Sequence, residues 1–215
     1  MKKAMIIGGH GKIALLLAPL LRDAGWDVSG VIRSAAQIDD VAAAGATPVV
    51  HDVASSSVDQ LAALVAGQDA VIWSAGAGGG SAERTYAVDR DAAIRSMDAA
   101  EKAGVGRYVM VSYLGARTDH GVPPGDSFFA YAEAKAAADT HLRAMGLAWT
   151  ILGPGALTSD EATGTVTTTV DPARRNTSRA NVALVAAAVL DRPDTVRRTI
   201  EFTDGDTSVE QALNA

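Results

Sequence analysis

Short apolar runs with β-branched residues alternate along this chain with longer alanine- and leucine-rich stretches of helical period. The runs that predict strands are Lys3 to Ile7, Asp27 to Arg33, Thr47 to His51, Ala70 to Ser74, Arg107 to Ser112 and Ala148 to Leu152, with a seventh at Thr199 to Thr203. Helical patterns fall between them, at Lys12 to Ala24, Ala35 to Ala44, Val58 to Ala66, Ala82 to Ala103, Phe128 to Met145 and Asn181 to Leu190. Gly25, Gly45, Gly104 and Gly146 stand where helices should end, and Pro19 should kink the first helix. Such alternation predicts an α/β fold, a doubly wound parallel sheet with helices on both faces. The Gly- and Pro-rich segments from Gly76 to Ser81 and from Gly115 to Ser127 each follow the carboxyl end of a strand, the edge where such sheets bind ligands. Gly153 to Ser178 is a third such region, with a short strand expected at Thr165 to Val170.

The first strand ends in Gly8-Gly9-His10-Gly11-Lys12-Ile13-Ala14. Gly9-x-Gly11-x-x-Ala14 fits the spacing G-x-G-x-x-G/A, and Gly8-x-x-Gly11-x-x-Ala14 fits a variant of it. A tight turn tolerates glycine best, a diphosphate must approach bare backbone, and a small residue at Ala14 lets the helix lie close to the strand. Free N–H groups from Gly9 to Ile13 at the helix start would meet phosphate charge, with His10 beside it. The spacing alone also fits a strand-to-helix turn without a ligand. A P-loop is excluded, because Ile13 follows Gly11-Lys12 where Ser or Thr is required.

The chain has 215 residues, 48% hydrophobic and 20% charged, enough for one globular domain in which residues after about 153 form a small substrate-facing cap. Its net charge of −6 opposes general attraction to nucleic acid or anionic membranes. Without cysteine there are no disulfides and no thiolate metal sites, and the four histidines lack metal-ligand spacing, so no metal is expected. No apolar run approaches a membrane span and no cleavage site follows the first leucine-rich stretch, which points to a cytoplasmic protein.

Tyr131 and Lys135 lie one helical turn apart and share a helix face. A nearby cation could lower the phenol from its ordinary pKa of about 10 toward useful acid–base chemistry. The same spacing also suits a plain amphipathic helix. Arg174, Arg175 and Arg179 cluster in the loop before the last helix, which Ser178 could cap; they suit solvent, or contact with an anion. Trp26, Trp73 and Trp149 read as core. Phe128 and Phe129 could line an apolar pocket or anchor their helix.

Taken in order, several motifs resemble the short-chain dehydrogenase/reductase superfamily, in particular its small atypical NAD(P)H-binding members related to the NmrA-like and epimerase/dehydratase groups. These are the glycine turn, Val31-Ile32-Arg33-Ser34, His51-Asp52-Val53, Ser74-Ala75-Gly76, Gly104 to Ser112, Tyr131 with Lys135, and Ile151-Leu152-Gly153-Pro154-Gly155. The resemblance implies a Rossmann fold. It implies that Tyr131 exchanges the proton, that Lys135 holds the nicotinamide ribose and tunes the phenol, and that Ser112 orients a substrate carbonyl. Asp52 and Val53 would contact adenine, Ser74 to Gly76 would pass under the adenosine ribose, and the backbone of Pro154 and Gly155 would meet the nicotinamide. Two departures stand out: Tyr113 replaces a second serine, and Gly153 replaces an arginine. Arg33 and Ser34 occupy the place of the carboxylate that would read a ribose 2′-hydroxyl, so NADP(H) is preferred over NAD(H). The expected activity is NADPH-dependent reduction of a small carbonyl or quinone-like molecule, by a monomer or homodimer. An NADP(H) sensor without turnover is the alternative, and a nucleotide-sugar epimerase or dehydratase the third, disfavoured by the short chain after Leu152.

Overall fold

The computed structural model describes residues 1–169, 171, 173 and 175–214. Its strands are β1 (Lys3–Ile7), β2 (Asp27–Ile32), β3 (Thr47–Val50), β4 (Ala70–Trp73), β5 (Arg107–Val111), β6 (Trp149–Pro154), β7 (Ala156–Thr158), β8 (Thr165–Thr167), β9 (Asn176–Ser178), β10 (Arg198–Asp204) and β11 (Thr207–Ser208). The main sheet runs in the order β11-β8-β10-β6-β5-β4-β1-β2-β3. From β10 to β3 every pairing is parallel, while β8 and β11 add an antiparallel margin. β7 and β9 form a separate two-stranded ribbon. Strand order reverses between β1 and β4, which opens a crevice at their carboxyl ends.

The helices are α1 (Lys12–Asp23), α2 (Ile38–Ala43), α3 (Val58–Val65), α4 (Ala82–Thr85), α5 (Ala93–Lys102), α6 (Phe129–Ala144), α7 (Arg179–Leu190) and α8 (Val209–Leu213). Strand residues alternate between two cores, as a pleated sheet covered on both faces demands. Ala4, Ile6, Val28 and Ile72 pack with α1 and α7, whereas Met5, Ile7, Val71 and Trp73 pack with α5 and α6. Trp26, Trp73 and Trp149 are all buried. Arg107 spans β5, β6 and α7 from within, donating to the carbonyls of Ala148 and Val189 and to the hydroxyls of Thr150 and Thr195.

Each expected strand and helix occurs, with five local differences. The helix expected over 35–44 begins as a 3₁₀ turn, Ala35–Gln37, capped by Ser34. The one expected over 82–103 is interrupted by a π-helical segment, Tyr86–Ala92, wedged between α4 and α5. α1 continues through Pro19. Gly25, Gly45 and Gly104 end helices at positive φ, but Gly146 does not, and its N–H donates instead to Glu101 Oε1 at 3.0 Å. β8 stops at Thr167, with Val170 outside the described residues. Three-residue strands such as β7 and β9 are too short to show a period of two in the sequence.

The glycine turn is fixed by packing as well as by ligand access. A Cβ on Gly8 would lie 2.6 Å from the backbone of Ala75, at a φ of +90, and one on Gly9 would lie 2.7 Å from Gly30 Cα. The turn is thus pressed against the ends of β2 and β4 so closely that no side chain fits. Gly9→Ala, at a backbone angle any residue can adopt, should therefore cost about 2 kcal/mol through overpacking alone. Urea unfolding should show a lowered midpoint with an unchanged slope; an unaltered midpoint would mean that the turn can move away from β2.

Candidate active site

At the reversal point, a cavity of about 650 Å³ is lined by Gly8, His10, Gly11, Arg33, Gln37, Asp52, Val53 and Ser74 to Gly78. α1 starts here with Gly11 as its N-cap and no side-chain cap, so its first N–H groups await an acceptor. His10 is held between Asp40, at 2.7 Å, and Gln37, at 3.1 Å. Gln37 Oε1 is buried with no partner among the described residues. Arg33, and Arg84 from α4, also line the cavity, and neither guanidinium has a partner among the described residues. Asp52 faces the cavity but turns its carboxylate to the Ala54 N–H (3.0 Å) and the Ser55 hydroxyl (3.1 Å). Uncapped N–H donors, two free guanidiniums and an orphan amide oxygen fit a phosphorylated dinucleotide in charge and hydrogen-bonding sense.

Several expected binding residues stand apart from this cavity. Gly9 shapes the turn, as above. Ser34 uses its hydroxyl to accept from the Ala36 N–H, at 3.3 Å, and does not line the cavity. Exposed Lys12 lines neither it nor its neighbour. Ile13 lies in the adjoining space.

That adjoining cavity, about 720 Å³, shares Ser74 to Gly78 with the first and continues to Ser112, Tyr131 and Lys135. Here the structure gathers a network the sequence only partly announced. Lys135, 1% exposed, donates from Nζ to the Val111 carbonyl at 2.7 Å and approaches Met110 Sδ at 3.2 Å. Two buried carboxylates compensate its charge: Asp139, one turn further along α6, and Asp89, inside the π-helical segment. Asp89 accepts from the Ala77 N–H at 2.9 Å, tying the π segment to the loop after β4. Asp139 accepts the Ser112 hydroxyl proton at 2.6 Å, and its Oδ1 has no partner among the described residues. Burial pushes both carboxyls above the ordinary range against the pull of Lys135, and burial pushes Lys135 below its own.

These contacts revise two expectations. Lys135 spends a donor on the end of β5, and Tyr131, expected to be lowered by that nearby cation, is shifted upward, by burial first and then by Asp89, Asp139 and Tyr113. The phenol therefore keeps its proton at neutral pH. Ser112 gives its proton to Asp139, so toward the cavity it can only accept, and donating to a substrate carbonyl would require that bond to break.

A third cavity, about 740 Å³, touches the second at Ser112 and Tyr131 and is lined further by Tyr113, Phe128, Pro154 and Gly155. Tyr113 packs against Phe128 (5.2 Å) and Tyr131 (5.6 Å) in a three-ring cluster, and its hydroxyl is buried without a partner among the described residues. Pro154 and Gly155 reach this cavity with the carbonyl of the first and the N–H of the second already in use. The Pro154 carbonyl accepts from the Leu114 N–H, and the Gly155 N–H is shared by Phe202 O and Thr177 Oγ1. Glu201 occupies the space beside Gly153, where it accepts from the Gly115 N–H at 2.9 Å. Asp89, Asp139 and Arg84 were not anticipated. Asp139 was open to detection, since Tyr131, Lys135 and Asp139 repeat every four residues on one face of α6.

The comparisons agree with this architecture. The NAD(P)H-binding family profile matches residues 8–193. The uncharacterized sugar epimerase YhfK of Bacillus subtilis is 36% identical over 98% of both chains. A Bacillus halodurans protein provisionally named an NAD-dependent epimerase/dehydratase superposes with a TM-score of 0.91 at 30% identity, covering 100% of this chain and 99% of its own. The oxidoreductase ylbE of Lactococcus lactis superposes at 0.85 with 26% identity, over 99% and 95%. With its switch-point crevice, uncapped α1 and family match, this chain belongs to the NAD(P)H-binding family, an atypical group similar to the short-chain dehydrogenases/reductases.

Proposed function

We propose that this protein is an NADPH-dependent oxidoreductase that reduces a small carbonyl or quinone-like acceptor. The observation that carries the reading is that Tyr131, Ser112 and Lys135 line a cavity continuous with the dinucleotide groove. The α1 N-terminus and Gly8 to Gly11 would hold the diphosphate, Val53 and Ser74 to Gly76 the adenosine, and Arg33 with Arg84 a 2′-phosphate. When bound, the nicotinamide supplies a hydride to an electrophilic carbon.

The chain's own residues supply the rest. Tyr131, held neutral by burial and by Asp89 and Asp139, donates its proton to the acceptor oxygen as negative charge develops there. Its phenolate then regains a proton from solvent. Lys135 holds the end of β5 against α6 and provides the positive charge that limits repulsion between Asp89 and Asp139. Ser112, whose O–H donates to Asp139, offers lone pairs that can orient a donor in the cavity. The raised phenol suits reduction better than its reverse, because a proton donor must start protonated.

The engaged hydroxyl of Ser112 and the buried hydroxyl of Tyr113 favour a second reading, in which the protein binds NADP(H) as a sensor without turnover. The relatives' epimerase names favour a third. Against the third, α7 and β10 belong to the core and sheet, which leaves little more than the β7–β9 ribbon and its loops to enclose a nucleotide sugar.

Three measurements test the assignment. Tyr131→Phe should lower kcat about 100-fold while NADPH affinity stays the same, and undiminished turnover on every acceptor would remove Tyr131 from the chemistry. Arg33→Ala should weaken NADPH about tenfold or more and NADH hardly at all, as judged by calorimetric titration; equal losses would reject the 2′-phosphate contact. The third is the pH profile. Since the acid form of Tyr131 is the active one and its pKa is raised, reduction should stay level from about pH 6 to about pH 9. An alkaline loss centred below about pH 9, accompanied by a phenolate absorbance rise that Tyr131→Phe removes, would show that the phenol is lowered after all; the loss without that absorbance would belong to Lys135.

A further inference from the structure

The cavity of about 740 Å³ beyond Tyr131 has a charge that the chain as a whole does not predict. The protein carries a net charge of −6, yet among the described residues no Asp or Glu lines this cavity, while Arg117, Arg175, Arg179 and His120 do. Two of these side chains already have acidic partners: Arg117 pairs with Asp119 at 3.2 Å and His120 bonds Glu133 at 2.8 Å. The other two have none among the described residues. Arg179 is anchored through Nη1 alone, by the Thr158 carbonyl at 2.7 Å and the Ser159 hydroxyl at 3.3 Å. Among the described residues nothing accepts from its Nε or Nη2, the edge of a guanidinium that matches the two oxygens of a carboxylate. The Arg175 side chain has no partner among the described residues, although its carbonyl is fixed by the Ala156 N–H at 2.6 Å. Arg174, from the same cluster, lies outside the described residues.

The remaining walls are apolar, chiefly Leu114, Val122, Phe128 and Leu157. Ser112 and Tyr131 close the end shared with the nicotinamide side. An apolar chamber with a proton donor at one end and uncompensated guanidiniums on its lining is suited to a molecule that is itself amphipathic. We propose that this chamber receives an acceptor with an apolar body and a carboxylate arm, the arm held by Arg179 and Arg175. The proposal rests on the oxidoreductase reading for the identity of the reacting carbonyl, but the anion site stands on the chamber's charge alone.

The test separates the two. The protein saturated with NADP⁺ is titrated calorimetrically with 4-carboxybenzaldehyde and with benzaldehyde, and NADPH oxidation by each is followed in parallel. The carboxylate should bind about tenfold tighter or more, and Arg179→Gln and Arg175→Gln should each shrink that ratio, while Arg117→Gln, whose partner is internal, should shrink it less. Cofactor affinity, measured for each variant, shows that the nucleotide groove is intact. The proposal is overturned if the two aldehydes bind alike, if neither binds, or if both arginine variants keep the full preference. Selective binding without NADPH oxidation would leave the anion site standing and remove the reductase reading.

Discussion

One buried ammonium organises the working end of this molecule. Lys135 is nearly inaccessible, and a charge taken out of water is tolerated only where opposite charge and hydrogen-bond acceptors surround it. Those come from three different elements: the Val111 carbonyl at the end of β5, Asp139 on α6 and Asp89 in the π-helical segment. Each of them is drawn into a place by the same charge. The loop after β4 follows, because Asp89 also holds the Ala77 N–H, and Ser112 follows, because Asp139 takes its proton. The site is therefore a balance of one cation and two carboxylates in a low-dielectric setting, where burial first and then the carboxylates raise the Tyr131 phenol above its ordinary value.

The fold was legible in the sequence because strands buried on both faces are written as short apolar runs, and α/β alternation leaves few ways to arrange them. The glycine turn was legible for a related reason. Gly8 and Gly9 are required by contact with Ala75 and Gly30, so packing alone would fix them. Ser34 and Gly146 show the limit. Each was assigned a role by position, and each had its polar group claimed by a near neighbour or by a partner distant in sequence, which no spacing reveals. Asp89 was hidden more deeply. A π-helical segment shifts which residues share a helix face, so a residue that a regular helix would place elsewhere is buried near Lys135. The π segment packs against both α4 and α6, contacts that no local pattern in the sequence reveals.

Charge is distributed with more order than the net value suggests. The cations of the switch-point crevice, Arg33 and Arg84, stand without partners among the described residues, whereas some cations elsewhere, such as Lys2, Lys102 and Arg192, are paired with aspartates. Exposed pairs contribute little stability. Guanidiniums unpaired among the described residues line both the crevice at the switch point and the chamber beyond Tyr131, where an anion would meet them.

The far margin of the sheet shows a different kind of economy. His51 donates its N–H inward to Ile32, and with the two-residue alternation of a strand Val49 faces the same way, which turns Pro48 outward. The outer rim of β3 thus lacks a donor at its middle, where an incoming strand would need one. At the opposite margin, β11 is only two residues long. Neither border can template the growth of a longer sheet, so a chain nearly half apolar is guarded against stacking edge to edge with its own copies.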